Sequence, residues 1–358
     1  MKIYNCNKTV LQAARERMAL IFDNFYDINV SISSGKDSTV LFYLAYQEAV
    51  KRGRKIIAFF LDQEAEYKAS IDIIKKVMAL PNVIPAWYQV PLYLTNATSS
   101  TEFFLYAWGK GEKWIREKDP VAVQAIDVEY PKRFYPFISW YENKNPAAAY
   151  LVGIRAEESI MRYRAATKNP GWGGLKWSTI DKKINMFYPI YDWTVYDIWK
   201  FIWDYDLPYN KIYDFMFMDN YGIYKKMRVS NLIHEKSFGC LVDLPKFEPD
   251  TFNALCKRIS GIATAARYAS ERLIFNNKQL PKHYKSWQEF RDFLLSNVEK
   301  ETHREKYLRR FENQERNERT YQAQVGQLLI NDYENSCSFD TKKGERAVKV
   351  REKWMQLL

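Results

Sequence analysis

The sequence predicts an α/β fold, a mostly parallel twisted sheet with flanking helices, joined to a mainly α-helical C-terminal unit. Three observations predict it. Residues 28–32 are an apolar run interrupted by Asn29 and Ser31, and 56–61 and 149–152 are nearly unbroken ones, the pattern of strands buried on both faces of a parallel sheet. Segments of helical period separate them, the alternation that builds β-α-β crossovers. Beyond residue 195 the period is helical almost throughout, so the chain is expected to divide into an α/β domain over 1–194 and a helical domain over 195–358.

Taken in order, Val10, Leu11, Ala14, Met18, Ile21, Phe22 and Phe25 fall on one helical face, so 8–26 reads as a helix that packs on the sheet. The first strand ends in the turn Ser33-Ser34-Gly35. Lys36-Asp37-Ser38-Thr39 then opens a helix with apolar positions at Val40, Leu41, Leu44 and Ala45. A basic turn, Lys51-Arg52-Gly53-Arg54, leads to the second strand. Asp62 stands at its carboxyl end, the edge where open α/β sheets bind ligands. Asp62, Glu64 and Glu66 have two readings, contacts to a ribose or a metal, or N-terminal charges for a helix at 67–80. A third strand follows at 83–90. The stretch 95–141 carries Phe103, Phe104, Trp108, Trp114, Phe134, Tyr135, Phe137 and Trp140 among Lys and Arg. Packing is the expected use of these rings, and a base-stacking platform is the alternative. The strand at 149–152 delivers Gly153 and Arg155 to the same sheet edge. Residues 169–177 form a Gly-rich loop bearing Trp172 and Trp177, readable as a lid or as a plain turn. Helical faces recur at 192–213, 251–274 and 287–308, and 309–358 is highly polar with a short amphipathic end.

Composition sets outer limits. The 358 residues carry a net charge of +11, but the excess is spread along the chain without a basic tail or arm. A solvated surface is therefore expected in preference to a duplex-binding face. No apolar run reaches membrane-spanning length and the first residues lack a basic-then-apolar leader, so a soluble, cytoplasmic protein without a membrane partner is expected. Cys6, Cys240, Cys256 and Cys337 are far apart and form no C-x-x-C pair, which argues against a disulfide framework and against an iron–sulfur cluster.

The turn at 33–36 carries the chemistry. It leaves backbone N–H groups at the positive end of a helix dipole, beside side chains small enough to let an anion approach, which makes a cradle for phosphate. Lys36 adds a full positive charge, and Asp37 can hold a Mg2+ that bridges phosphates. The Walker A pattern G-x-x-x-x-G-K-[ST] is not met, because Lys36 is followed by Asp37 and no glycine stands five residues before Gly35. Ser33-Ser34-Gly35-Lys36-Asp37-Ser38 instead resembles the PP-loop, S-G-G-x-D-S, of N-type ATP pyrophosphatases and phosphoadenylyl-sulfate (PAPS) reductases. Residues 151–162, with Gly153, Arg155, Glu158, Ser159 and Arg162, resemble the G-x-R-x-x-E-S-x-x-R segment of PAPS reductases. Residues 188–199 followed by 207–210 resemble their P-I-x-D-W-T-x-x-D-V-W…L-P-Y-N. The three matches, in order over 28–213, imply an adenine nucleotide alpha hydrolase-like fold that binds ATP or PAPS. The nucleotide-binding candidates are Ser33, Ser34, Gly35, Lys36, Asp37, Ser38, Gly153, Arg155, Glu158 and Arg162, with Asp62 added from its place at the strand end. Guanidinium forks match phosphate oxygens, which favours Arg155 and Arg162, and a salt bridge to Glu157 or Glu158 is their competing role.

A narrower resemblance covers the whole chain. Glu64-Ala-Glu-Tyr-Lys68, Trp114-Ile-Arg-Glu-Lys118 and Arg258-Ile-Ser-Gly261 are similar to segments of the immunoglobulin-binding regulator A family, PAPS-reductase-like proteins of bacteria and phages. That resemblance implies a ParB-like partner and through it an indirect association with DNA; a homo-oligomer is also open. PP-loop enzymes hold the β- and γ-phosphates of ATP in the loop while a nucleophile attacks the α-phosphorus and pyrophosphate leaves. On that pattern Lys36, Arg155 and Arg162 would stabilise the developing charge, and Asp37 with Mg2+ would organise the leaving group. PAPS reduction further needs a thiolate, which that family carries in a C-terminal E-C-G-x-H-like motif. This chain lacks that motif, leaving Cys240, near His234 and Lys236, and Cys337 for such a role. Three readings stand: an ATP pyrophosphatase or adenylyltransferase, a PAPS or adenylyl-sulfate reductase with an atypical cysteine, and a non-catalytic nucleotide sensor.

Overall fold

The structure is a computed structural model that describes residues 7–99, 102, 104–167, 170–181, 183–218, 227–233, 238–268, 280–329 and 331–332. The chain forms two compact units, Met1–Tyr93 with Tyr106–Asn231, and Leu94–Leu105 with Leu232–Leu358. This differs from the division at 194/195. The helices at 195–204 and 212–218 fall in the first unit, and Ile198, Phe201 and Ile202 of the former join its core.

In the first unit α1 (Val10–Asn24) precedes β1 (Ile28–Ser31). Thr9 caps α1, its hydroxyl accepting from the Gln12 N–H while the Gln12 side chain accepts from the Thr9 N–H. There follow α2 (Lys36–Lys51), β2 (Ile56–Leu61), α3 (Lys68–Met78) and β3 (Val83–Tyr88). β4 (Leu92–Thr95) and β5 (Phe104–Ala107) form a separate two-stranded sheet. The chain returns through α4 (Phe134–Glu142), β6 (Ala149–Leu151), α5 (Ile160–Thr167), β7 (Ser178–Asp181), β8 (Ile184–Phe187), α6 (Val195–Asp204) and α7 (Ile212–Met218).

The main sheet has the order β3-β2-β1-β6-β8-β7, with β7 antiparallel to β8 and the other pairings described parallel. β1 holds the centre: Val30 lies opposite Ala58 on one side and Leu151 on the other. From β1 the chain steps outward through β2 to β3, then resumes on the opposite flank at β6. That reversal is a topological switch point, and it opens a crevice between the turns that leave the carboxyl ends of β1 and β6.

Packing follows the sequence pattern. Val40, Leu41, Leu44 and Ala45 of α2 are all buried, and so are Phe42 and Tyr43, so α2 is enclosed on nearly every side. α1 and α6 pack against it. The link from β8 into α6 is fastened to α1: Arg17 reaches both carboxylate oxygens of Asp192, at 2.7 and 2.6 Å, and the Trp193 indole donates to the Val10 carbonyl at 3.2 Å. Thr194 and Asp197 then form a capping box that starts α6. The single helix expected over 192–213 is two, because Pro208 cannot continue a helix and Asp206 turns left-handed with φ 46°. The hairpin of β7 and β8, which turns at Lys183 with φ 78°, follows the Gly-rich loop in a stretch to which no element was assigned from the sequence. Trp108 and Phe137 are buried, so these rings of the aromatic stretch serve packing.

In the second unit the described helices are α8 (Leu244–Phe247), α9 (Pro249–Arg258), α10 (Ile262–Tyr268), α11 (Trp287–Ser296), α12 (Glu301–Glu312) and α13 (Glu318–Leu329). The period expected over 251–274 breaks at Gly261, which sits at φ 92° with its Cβ position 2.3 Å from the Thr98 carbonyl oxygen. Only glycine tolerates both conditions. Leu295, Tyr307, Phe311 and Leu328 form a small core there.

Two substitutions test this packing. Leu41→Ala removes a fully buried side chain from α2 and is expected to lower the unfolding free energy by about 2–5 kcal/mol in denaturant titration. Gly153, just after β6, would place a Cβ 3.1 Å from the Cα and N of Ser38 and 3.2 Å from the Asp37 carbonyl carbon, all backbone that cannot swing aside. Gly153→Ala is expected to cost about 1–3 kcal/mol. Unchanged stability in that variant would show that the two turns are not pressed together.

Candidate functional site

The switch-point crevice is a cleft of about 750 Å3 within the first unit. The carboxyl ends of β1 and β2, the first turn of α2, residues 152–155, the start of α5 and residues 227–231 line it.

The turn after β1 is wound tightly around its own hydroxyls. The Ser33 N–H donates to Ser38 Oγ at 3.1 Å, and Ser38 Oγ donates to the Gly35 carbonyl at 3.0 Å. Ser34 is held left-handed at φ 58°, a conformation that costs a non-glycine residue of order 1–3 kcal/mol. Asn210 holds it there, its side-chain amide donating to Ser34 Oγ at 3.3 Å and to Ser70 Oγ at 2.9 Å. The Lys36 N–H at the start of α2 donates to the Tyr213 hydroxyl at 3.0 Å. Burial, with the Asp37 carboxylate nearby, pushes the Tyr213 phenol up, so this oxygen stays neutral.

Charge is concentrated on three side chains. The Lys36 ammonium lies 3.1 Å from Asp37 Oδ2 and donates to the Met227 carbonyl at 3.4 Å. The Arg155 Nε donates to Asp37 Oδ1, and its Nη1 donates to Glu157 Oε2 at 2.6 Å. Arg155 is only 3% exposed. Burial opposes its charge, but Asp37, Glu158 and Glu157 together raise its pKa, so the guanidinium stays charged inside the fold. Arg162 pairs with Glu158, whose Oε2 also accepts the Arg155 N–H at 3.3 Å. The ion pairs weighed from the sequence are thus formed at both arginines, on the cleft wall. Ser33, Gly35, Lys36, Asp37, Ser38, Gly153, Arg155, Glu158 and Arg162 all line the one cleft, and Ser34 is buried just behind it.

Asp62 is placed differently. It is fully buried and does not line the cleft; its oxygens accept from the Trp87 indole at 2.9 Å, the Gln89 amide at 2.9 Å, the Glu64 N–H at 3.0 Å and Arg116 at 2.5 Å. Those donors leave it a joint between β2, β3 and the 108–133 loop instead of a ribose or metal contact. Gln63 and Glu66 face the cleft from that strand end. Tyr213, Phe134, Ile138 and residues 227–231 also line it, and none of them was a site candidate in the sequence. Tyr213 stands three residues after the Leu207-Pro-Tyr-Asn210 match, the one signal that pointed toward it. Among the described residues the Gly-rich loop, 170–177, does not line the cleft: Trp172 packs edge-on against Phe25 at 5.1 Å, and Trp177 lies tilted against Phe187 at 5.7 Å. These anchors replace the lid reading.

Among the described residues no group of three or more His, Cys, Asp or Glu is gathered to hold a metal. Cys240, half-buried, belongs to the second unit, as does Cys256, whose thiol burial pushes up. Cys337, His234 and Lys236 lie outside the described residues. Among those described, no helix is long and apolar enough to cross a membrane.

The phosphoadenosine phosphosulfate reductase domain family matches residues 27–219, and a second family, described as a domain of unknown function (DUF3440), matches 222–357. The chain is 29% identical over 320 residues, 82% of its own length and 76% of the relative's, to the uncharacterized protein YbdN of Escherichia coli (strain K12). It is 26% identical over 220 residues, 60% of this chain and 44% of the relative, to the uncharacterized protein MJ0973 of Methanocaldococcus jannaschii. Among solved structures, a phosphoadenylyl-sulfate reductase from Candida auris in a phosphate complex is similar at 15% identity and a TM-score of 0.35, over 60% of this chain and 93% of that one. An FMN adenylyltransferase from Candida glabrata, in complex with FMN and an ATP analog, is similar at 15% identity and a TM-score of 0.36, over 64% of this chain and 66% of that one. The first family match takes in more than half of the sequence, every strand of the six-stranded sheet and both turns that meet at its switch point, and the chain belongs to the phosphoadenosine phosphosulfate reductase domain family.

Proposed function

We propose that the switch-point cleft binds ATP, or PAPS in its place, and that with ATP a nucleophile attacks the α-phosphorus, so that the adenylyl group passes to an acceptor and pyrophosphate leaves. The observation that carries this reading is the meeting of the Ser33–Ser38 turn with Gly153 and Arg155 in one cleft. Lys36 and Arg155 are fixed cations on either side of Asp37, and phosphate oxygens entering between them would take over part of that carboxylate's place. Because both cations are already oriented, little reorganisation remains when charge develops on the transferring group. Arg162, on the rim with Glu158, would complete the phosphate contacts. A Mg2+ bound through Asp37 would neutralise charge on the leaving pyrophosphate. Burial of Arg155 favours this use, since a guanidinium in a dry site interacts more strongly with an anion than it would in water.

The family match favours PAPS as an alternative nucleotide, with reduction by an atypical cysteine as the second reading. The resemblance to the immunoglobulin-binding regulator A proteins makes a ParB-like protein the partner to add in any assay, and a nucleotide sensor working through that partner is the non-catalytic form of the same proposal.

Incubation with α-labelled ATP and Mg2+, or with labelled PAPS, with and without a ParB-like protein, separates these outcomes. Pyrophosphate with AMP or an adenylylated product is expected from ATP. Lys36→Ala is expected to lower that turnover on the order of a hundredfold or more, the usual loss on removing one transition-state contact. Sulfite from PAPS would replace the adenylyl reading with reduction, and intact recovery of both bound nucleotides would remove catalysis altogether. Asn210→Ala frees Ser34 from its only side-chain anchor among the described contacts and is expected to weaken nucleotide affinity on the order of tenfold by calorimetry.

A further inference from the structure

We propose that Glu66 is a nucleotide-binding residue that acts as a neutral carboxylic acid, donating a hydrogen bond from the cleft wall to the bound anion. The inference rests on the nucleotide reading of the cleft and goes beyond it in naming a recognition group and its protonation state.

Three carboxyl groups alternate after β2, at positions 62, 64 and 66, and the fold treats them differently. Asp62 receives the four donors described above. Glu64 is fully buried and accepts the backbone N–H groups of Trp108, at 2.8 Å, and Ile115, at 3.3 Å. Neither lines the cleft, so their charge is absorbed in holding the 108–133 loop against the sheet. Glu66 alone lines the cleft, and it does so at 7% exposure. A carboxyl group that reaches a ligand cavity while sealed from bulk water has few ways to stay ionised.

The groups facing it set its state. Asp62 contributes repulsion from the end of β2. Arg116, from the 108–133 loop, offsets this, but its guanidinium is already paired with Asp62 at 2.5 Å and lies over the Trp108 ring. The Asn231 side chain hydrogen-bonds the carboxyl from the 227–231 segment. Burial first, then Asp62, push the Glu66 carboxyl up to about 8, against the opposing pull of Arg116 and Asn231. Lys36, Arg155 and Arg228 are the cations of the same cleft, and Asp37, Glu157 and Glu158 its other carboxylates.

A neutral carboxyl has one O–H to donate, whereas a carboxylate only accepts. Facing a polyphosphate, the neutral form attracts and the ionised form repels. Bound phosphate charge would favour the proton further, so binding near pH 8 takes up a proton at this position. At lower pH the proton is already present. Above the raised value each pH unit weakens binding, up to the limit of about tenfold per unit for a single proton.

The test is calorimetric titration of the full chain with the non-hydrolysable analogue α,β-methylene ATP and Mg2+ from pH 7 to 9.5, repeated in two buffers of different ionisation enthalpy. The wild-type protein is expected to take up a fraction of a proton near pH 8 and to lose affinity toward tenfold per unit above it. Glu66→Gln keeps a donor that does not titrate, so its affinity is expected to be flat over the range; Glu66→Ala is expected to bind more weakly at pH 7. Wild-type binding without proton uptake, or a Gln variant with the wild-type slope, would overturn the role of Glu66 and leave the nucleotide reading standing. Absence of any binding to the wild-type protein would remove the nucleotide reading and Glu66's role with it. The wild-type proton count needs no variant to fold.

Discussion

The cleft depends on one close approach of backbone to backbone. β1 is the central strand at the point where strand order reverses, so the turns leaving β1 and β6 must pass each other at the same sheet edge. They do so with Gly153 pressed on the first turn of α2, at a distance that leaves no room for a side chain. This contact fixes where α2 begins, and with it the direction of the Lys36 N–H and the position of Asp37. It also sets Arg155 two residues further on, where its side chain can reach Asp37 across the crevice. The proposed anion site is thus a property of topology before it is a property of any charged residue.

The charged residues then share a single carboxylate. Asp37 lies between the Lys36 ammonium and the Arg155 guanidinium, and Arg155 is further held by Glu157, whose same oxygen accepts the Val195 N–H at the start of α6. Cations held this firmly gain little from each other's partners when the cleft is empty, because burial costs much of what the pairing returns. Their value lies in orientation. A guanidinium and an ammonium that need not search for a geometry would lose less entropy on binding the proposed phosphate.

Much of this was legible in the sequence. The strands at 56–61 and 149–151 stand within a residue of where unbroken apolar runs put them, because a strand buried on both faces has no freedom to alternate, and β1 is buried at Asn29 although Asn29 and Ser31 interrupt its apolar run. The buried face of α2 follows from its spacing. The hairpin of β7 and β8 was not legible: its strands are only four residues each, and β7 is exposed at Ile180 and Asp181. Asp62 was legible as to place and misleading as to use, because the Trp87, Gln89 and Arg116 donors that occupy it come from other parts of the chain. The 188–199 segment shows the converse. Its Asp192, Trp193, Thr194 and Asp197 fasten α6 to α1, so a motif that identifies the family serves as joinery in the fold. The helix breaks at Pro208 and Gly261 were visible as residues, but only the observed turns show that both positions end a helix.

On the proposed function, the Tyr213 hydroxyl would give the turn a selectivity that its charges alone would not. The N–H at the head of α2 already has a neutral acceptor at hydrogen-bond distance, so an incoming oxygen there exchanges one hydrogen bond for another and gains only the difference. A small anion resting on that N–H alone therefore has little to win. On the proposed function, a ligand that also spans Lys36 and Arg155 would gain at several points at once, and the tyrosine would thereby favour extended polyanions over fragments.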